Sequence, residues 1–142
     1  MSKYAFDKVA LFYFIDHKMV MVRKKGHTKY INLGGKREIG ETNRETLKRE
    51  ILEEVGLTLD LTSLQYLGTQ EAEVDGYPPG TLMRSFNYAG GFEEKVRSLK
   101  DFKVQLDSEI EEVALLSLAD ADKTTEMGRK ALELAAKHKW MR

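Results

Sequence analysis

Glu50, Glu53 and Glu54 are spaced so that an α-helix would place their three carboxylates on one side. Like charges three or four residues apart on a helix repel each other, at a cost of roughly 0.2–0.5 kcal/mol per pair. A hard divalent cation such as Mg²⁺ or Mn²⁺ would offset that repulsion, because these ions prefer oxygen ligands. The alternative is an acidic helix face that meets only water, which is common on surface helices. The spacing alone leaves both interpretations open.

The helix that must carry these carboxylates is marked at both ends. Thr42 followed by Glu45 forms a capping-box pattern at its start, and Gly56 is a typical stop. The sequence therefore predicts a helix from about residue 42 to residue 55. The three glutamates share one side of this helix, and apolar residues lie on the other, broad side: Leu47, Ile51, Leu52 and Val55.

A longer pattern surrounds this helix. Gly34 and Gly35 precede it and would let the backbone approach a ligand closely. The pattern G-x5-E-x7-R-E-U-x-E-E-x-G-U, in which U is apolar, is met in full by Gly35, Glu41, Arg49, Glu50, Ile51, Glu53, Glu54, Gly56 and Leu57. This pattern is the Nudix box, and on residues 35–57 the chain resembles the Nudix hydrolases.

The resemblance implies a fold and a reaction. Nudix enzymes share an α/β/α sandwich, an α+β architecture in which a mixed β-sheet lies between helices and the box forms a loop–helix–loop. A single domain over residues 1–142 is expected, because no linker or repeat divides the chain. The family hydrolyses a nucleoside diphosphate linked to another moiety, with Mg²⁺ or Mn²⁺ as cofactor.

The resemblance also implies a metal site. Glu50, Glu53 and Glu54 resemble the metal ligands of the family, and the main-chain carbonyl of Gly34 resembles its common backbone ligand. Several relatives add a glutamate from a later loop, for which the candidates here are Glu109, Glu111 and Glu112. Glu112 is preferred among them. Metal ions held by this set would neutralise a pyrophosphate and lower the pKa of a bound water.

Two other charged residues of the box resemble positions that organise the glutamates. Arg49 looks like the arginine that orients them, and Glu41 looks like a supporting acid behind it. Arg49, Glu50 and Glu53 are therefore the expected catalytic residues. Glu53 is the first candidate for the general base and Glu112 is the second.

The sequence says less about the substrate. The short chain resembles the MutT-type enzymes, which convert a nucleoside triphosphate to a monophosphate and pyrophosphate. Hydrolysis of nucleotide sugars, ADP-ribose or dinucleoside polyphosphates is the alternative, although the motifs typical of those branches are absent or poorly placed. Arg23, Lys36 and Arg84 are candidates for contacting the substrate, and for each an ordinary surface charge is the competing interpretation.

Composition excludes several classes of function. The chain has 23 basic and 23 acidic residues, so its net charge of zero predicts no nucleic-acid polymer as partner. It has no cysteine, which excludes a disulfide framework, a thiolate zinc site and the cysteine on which most Nudix isomerases depend. No apolar run is long enough to span a membrane, and a cytoplasmic protein is expected. A non-catalytic nucleotide-binding module remains an alternative, although such modules commonly lose box glutamates.

The remaining elements must hold the helix in place. Strands are predicted at residues 8–15, 18–24, 30–33, 64–74, 81–90 and 112–117. Gly34 and Gly35 are expected to end the third strand, and no structure is predicted for residues 93–108. A last helix over about 126–139 is expected to pack on the sheet or on a second copy, so a homodimer is left open.

Overall fold

The computed structural model describes residues 2–141. Its strands are β1 Tyr4–Phe12, β2 Phe14–Ile15, β3 Lys18–Lys24, β4 Tyr30–Lys36, β5 Gln65–Glu73, β6 Leu82–Ala89 and β7 Ile110–Leu116. Its α-helices are α1 Asn43–Val55 and α2 Glu126–Lys137. The predicted strands and helices are all present, with bounds that differ by a few residues, and the first predicted strand is divided into β1 and β2.

The strands form one mixed sheet. Six of them lie in the order β2-β3-β4-β1-β6-β5, and β7, which is off this path, pairs with β3. β1 and β6 run parallel, whereas the other pairings are antiparallel. The strand that carries the beginning of the chain therefore lies in the middle of the sheet, next to the strand that leads into α1.

Helices cover both faces of this sheet. Alternate side chains of β3 point to opposite sides, so that Val20 and Val22 pack in the cluster that contains α1. Met19 and Met21 pack in the second cluster, which contains α2. All four side chains are fully buried. The predicted α/β/α sandwich is confirmed.

The start and the end of α1 have the predicted geometry. The Glu45 N–H donates to Thr42 Oγ1 at 3.1 Å, and the Thr42 N–H donates to Glu45 Oε1 at 2.9 Å, which completes the capping box. Gly56 closes the helix with a φ of 70° and donates its N–H to the Leu52 carbonyl at 3.1 Å. Local sequence therefore fixes where this helix begins and ends.

The prediction that Gly34 and Gly35 end a strand is wrong. β4 continues through both glycines to Lys36, because Gly34 and Gly35 pair with Ala10 and Val9 of β1. Gly34 has a φ of 123°, and a Cβ at this position would collide with the Val9 carbonyl. Gly34 thus leaves no room for a side chain beside β1, whereas a Cβ on Gly35 would meet the Glu50 side chain of α1.

The C-terminal helix packs within the same chain. Ala131, Leu132 and Ala135 of α2 are buried against the sheet, and the Trp140 ring meets Phe12 edge-on with centroids 6.4 Å apart. This confirms packing on the sheet, the first of the two predicted arrangements. Residues 93–108 are mostly irregular, with one short 3₁₀ turn at Leu99–Asp101. Among residues 2–141, no helix is long and apolar enough to cross a membrane.

Candidate active site

A cavity of about 920 Å³ opens beside α1. The glutamates Glu50, Glu53 and Glu54 line it together with Gly34 and Gly35. Another part of its lining is apolar and contains Phe6, Val74, Met83 and Met127, which also pack with one another. The cavity therefore joins a strongly acidic surface to an apolar one, as a site for a ligand with a charged end and an apolar end would.

Arg49 is the centre of the polar contacts on α1. Its Nε and Nη2 donate to the two oxygens of Glu41 at 2.6 and 2.9 Å, a bidentate pair. Its Nη1 donates to Glu50 Oε1 at 2.9 Å and to Glu53 Oε2 at 3.4 Å. Its Nη2 also approaches the carbonyl oxygen of Lys36 at 3.4 Å. One guanidinium thus holds two cavity-lining glutamates in fixed positions.

Glu41 is itself held from several sides. Its Oε1 accepts hydrogen bonds from the Glu38 N–H and from Thr46 Oγ1, each at 2.9 Å. These bonds, and above all the hydrogen bond from Arg49, favour the ionised carboxylate and lower the pKa of Glu41 to about 2. Glu41 is therefore ionised at neutral pH and anchors Arg49.

In each of the three glutamates, only one of the two carboxylate oxygens accepts a hydrogen bond from residues 2–141. Glu50 and Glu53 each use one oxygen for Arg49, and Glu54 uses Oε1 to accept the Gly34 N–H at 3.1 Å. Within the described residues, the second oxygen of each carboxylate accepts no hydrogen bond. Three free carboxylate oxygens lining one cavity match the ligand preference of Mg²⁺ and Mn²⁺.

Burial makes this acidic set costly without a cation. Glu54 is almost fully buried, and burial raises its pKa although the Gly34 N–H and the charge of Lys8 act in the opposite direction. Burial likewise raises the pKa of Glu50 more than Arg49 lowers it. A divalent cation would replace this unfavourable desolvation with direct coordination.

The donor chemistry fits a metal, but the side chains are not gathered into a complete cage. In the part of the chain that the structure describes, no group of three Asp, Glu or His side chains is arranged to hold a metal by itself. Arg49 and the Gly34 N–H occupy one oxygen of each glutamate. A metal site here would therefore be completed by water and by substrate phosphates, as is usual for Mg²⁺.

The structure does not bring Glu112 to the glutamates of α1. Glu112 lies on β7 opposite Arg23 of β3, where it accepts a hydrogen bond from the Tyr30 hydroxyl and lies 3.7 Å from Arg23 Nε. Arg23 also donates to the His27 carbonyl, and neither Arg23 nor Glu112 lines the cavity. Of the three later glutamates, Glu109 lines it and pairs with Lys24 Nζ at 3.4 Å.

The other two candidates for substrate contact are separated by the sheet. Lys36 lines the cavity, with its Nζ 4.2 Å from the centre of the Phe6 ring. Arg84 instead makes a bidentate pair with Asp7 at 2.9 and 3.0 Å and lies outside the cavity lining. Alternation along β6 explains this placement, because Met83 lines the cavity and its neighbour must point to the other face.

Lys8 is a cavity residue that the sequence analysis missed. It lies on β1 with 9% of its surface exposed, and its Nζ donates to the Asn32 carbonyl at 3.1 Å. A signal was present, because strand alternation places Lys8 on the same face as the apolar Phe6 and Phe12. A lysine at an inward position of a strand is rarely buried without a partner or a function.

Comparison with known proteins identifies the family. The NUDIX domain family matches the chain over residues 6–136. The chain therefore belongs to the NUDIX domain family, which confirms the resemblance found in the sequence and the prediction of a pyrophosphohydrolase. Enzymes of this family generally use divalent metals. No curated protein matches the chain.

Solved structures share the fold at low sequence identity. The MutT protein from Methanosarcina mazei Go1 has a TM-score of 0.71 and 19% identity, with 98% of each chain covered. The NUDIX hydrolase from Nitrosomonas europaea has a TM-score of 0.69 and 21% identity, covering 96% of this chain and 90% of that one. The E. coli dihydroneopterin triphosphate pyrophosphohydrolase has a TM-score of 0.63 and 20% identity, covering 90% and 91%. Likeness at this level shows a common fold.

Gly35 provides a test of the site geometry, because a Cβ at this position would collide with the Glu50 carboxylate. We expect Gly35→Ala to displace Glu50 and to lower the rate of nucleotide hydrolysis on the order of 10²-fold. The matched control is Gly91→Ala, since a Cβ there meets no atom within 4 Å. Equal rates for the two variants, measured as phosphate release with Mg²⁺, would show that the position of Glu50 does not matter.

The Arg49–Glu41 pair predicts a pH dependence of stability. The folded-state pKa of Glu41 is about 2, below its ordinary 4.5, so the pair stabilises the fold above about pH 4.5. This contribution is lost as the pH falls from 4.5 towards 2. We therefore expect wild type to exceed Glu41→Gln in free energy of unfolding at neutral pH, and the difference to shrink over this acidic range. Urea denaturation at several pH values measures it, and a pH-independent difference would contradict the assignment.

Proposed function

We propose that this protein is a metal-dependent pyrophosphohydrolase that converts a nucleoside triphosphate to a monophosphate and pyrophosphate. The observation that carries the proposal is a single cavity of about 920 Å³ in which the glutamates of α1 share the lining with an apolar surface. The charged part suits a pyrophosphate with its cation. The apolar part suits a planar base.

Mg²⁺ is the proposed cofactor, with Mn²⁺ as a substitute. Glu50 and Glu54 would hold it through their free oxygens, with the Gly34 carbonyl as a further ligand and Glu53 beside them. When bound, the metal neutralises phosphate charge and lowers the pKa of a bound water. The other oxygens of these carboxylates already accept hydrogen bonds. Arg49 donates to Glu50 and Glu53, and the Gly34 N–H donates to Glu54.

Glu53 is the proposed general base. Its side chain is 57% exposed, compared with 21% for Glu50, whereas Glu54 is nearly fully buried. A base must reach a water in the open part of the site, and Glu53 Oε1 is free to accept its proton. Arg49 positions this carboxylate from the side through Oε2. Glu112, the second candidate in the sequence, lies outside the cavity lining.

The other features of the cavity support a small nucleotide as substrate. Phe6, Met83 and Met127 provide apolar contact area for a base, and Lys36 carries a positive charge beside Phe6. The zero net charge supports a small substrate over a nucleic-acid polymer. One of the structural relatives is named as a triphosphate pyrophosphohydrolase, which is consistent with a nucleotide substrate.

Both α-helices pack on the same sheet, which supports one domain over residues 1–142.

A substrate screen tests the proposal. Canonical and oxidised nucleoside triphosphates are incubated with enzyme, Mg²⁺ and inorganic pyrophosphatase, and released phosphate is measured. ADP-ribose, nucleotide sugars and dinucleoside polyphosphates are followed by chromatography of the products. Pyrophosphate release from one class of triphosphate is the expected result. Cleavage of only the ADP-linked compounds would contradict the triphosphate assignment, and no cleavage of any of them by folded protein would favour a non-catalytic binding module.

Glu53→Gln tests the role of the base, because it removes the charge while keeping the shape. We expect the rate of hydrolysis to fall by about 10²–10⁴-fold, with an unchanged circular dichroism spectrum and melting temperature. Glu133→Gln is the matched control, since Glu133 pairs with Arg129 on α2 at the same i,i+4 spacing that joins Arg49 and Glu53. If Glu53→Gln retained activity within a few-fold of this control, the assignment of Glu53 would be wrong.

A further inference from the structure

Lys8 occupies a position that the Nudix box does not contain. In the register of the sheet it lies directly between Lys36 on antiparallel β4 and Ser85 on parallel β6. All three residues line the cavity. This row of three residues therefore forms part of the cavity wall, which also contains the neighbouring pair Phe6 and Met83.

The ammonium group of Lys8 is incompletely satisfied. It has three N–H donors, and the structure gives one of them a partner, the Asn32 carbonyl at 3.1 Å. No carboxylate of the described residues lies within 4.0 Å of its Nζ, and the residue is 9% exposed. A buried cation without a paired anion is unfavourable, so this arrangement favours an acceptor that enters the cavity.

Lys36 increases this electrostatic cost. Lys8 and Lys36 are direct cross-strand neighbours, and like charges opposite each other destabilise a sheet. The Lys36 ammonium turns to the ring of Phe6, with 4.2 Å between Nζ and the ring centroid, which leaves it lining the cavity. Lys8 and Lys36 therefore line one cavity from neighbouring strands, an arrangement that favours an anionic ligand.

Glu54 is the competing explanation for Lys8. The charge of Glu54 does favour the protonated form of Lys8, but burial outweighs it and lowers the Lys8 pKa. Glu54 is also no direct partner, because its Oε1 accepts the Gly34 N–H and no ion pair joins it to Lys8. Attraction at longer range therefore offsets only part of the cost of burying the lysine.

We propose that Lys8 is a substrate-positioning residue that, together with Lys36, donates hydrogen bonds to phosphate oxygens from the sheet side of the cavity. The inference deepens the proposed function and rests on it. It identifies the polyphosphate chain as the group that contacts the two lysines, in the same cavity that the carboxylates of α1 line. A lysine ammonium is a compact, strongly hydrated charge, for which a phosphate oxygen is a better match than a carbonyl of a base.

Lys8→Met tests the proposal, because methionine keeps the length of the side chain and suits a buried position. Kinetics are measured at saturating Mg²⁺ on the triphosphate found by the screen. We expect KM to rise roughly 10- to 100-fold, the loss of a hydrogen bond to a charged group, with a smaller change in kcat. Lys8→Arg should recover part of the loss. Lys18→Met is the control, since Lys18 is an exposed residue at the β2–β3 turn.

A second measurement does not depend on turnover. Inorganic pyrophosphate is titrated into metal-free protein by calorimetry, and wild type should bind it more tightly than Lys8→Met by a similar factor. The melting temperature of each variant checks that the fold is intact.

The outcomes separate the possible failures. An unchanged KM with a shifted Mg²⁺ requirement would overturn the proposal and leave Lys8 as a distant counter-charge of Glu54. If wild type cleaves no nucleotide, the proposed function fails. Tighter pyrophosphate binding by wild type than by Lys8→Met would then still support the phosphate contact, whereas equal or absent binding would overturn it.

Discussion

The contact between Arg49 and Glu41 is the interaction on which the site depends. A guanidinium is always charged and planar, so a bidentate pair fixes its orientation. Once Glu41 holds one edge of Arg49, Nη1 is directed at Glu50 and Glu53. Both carboxylates are thereby held by one oxygen and left free at the other. The Arg49 guanidinium thus reduces the repulsion expected between the glutamates on this face of α1. It still leaves free carboxylate oxygens for a metal cation.

The sheet imposes the complementary constraint. β4 runs through Gly34 and Gly35 alongside β1, and neither glycine has room for a Cβ, at Gly34 because of β1 and at Gly35 because of Glu50. The Gly34 N–H then reaches Glu54, while the missing Cβ of Gly35 leaves space for the Glu50 carboxylate. The helix supplies the charges and the strand supplies the space and one of the donors. Neither element would form the site alone.

Local rules explain what the sequence could predict. The bounds of α1 follow from its caps, and the contacts of Arg49 with Glu41, Glu50 and Glu53 lie within a short stretch of chain. The features that the sequence could not predict depend on contacts between residues far apart in the chain. Arg84 pairs with Asp7, which lies 77 residues away in the sequence. Glu112 lies opposite Arg23 of the neighbouring strand β3. The cavity position of Lys8 depends on strand order, namely that β1 lies between β4 and β6.

Direct measurement of metal binding shows whether the carboxylates of α1 form a divalent-cation site. Mn²⁺ is titrated into wild type, into the double variant Glu50→Gln/Glu53→Gln and into Glu133→Gln, and free Mn²⁺ is followed by electron paramagnetic resonance. We expect wild type and the Glu133→Gln control to bind Mn²⁺ alike, and the double variant, still folded, to lose most of this affinity. Equal binding by all three proteins would contradict this expectation.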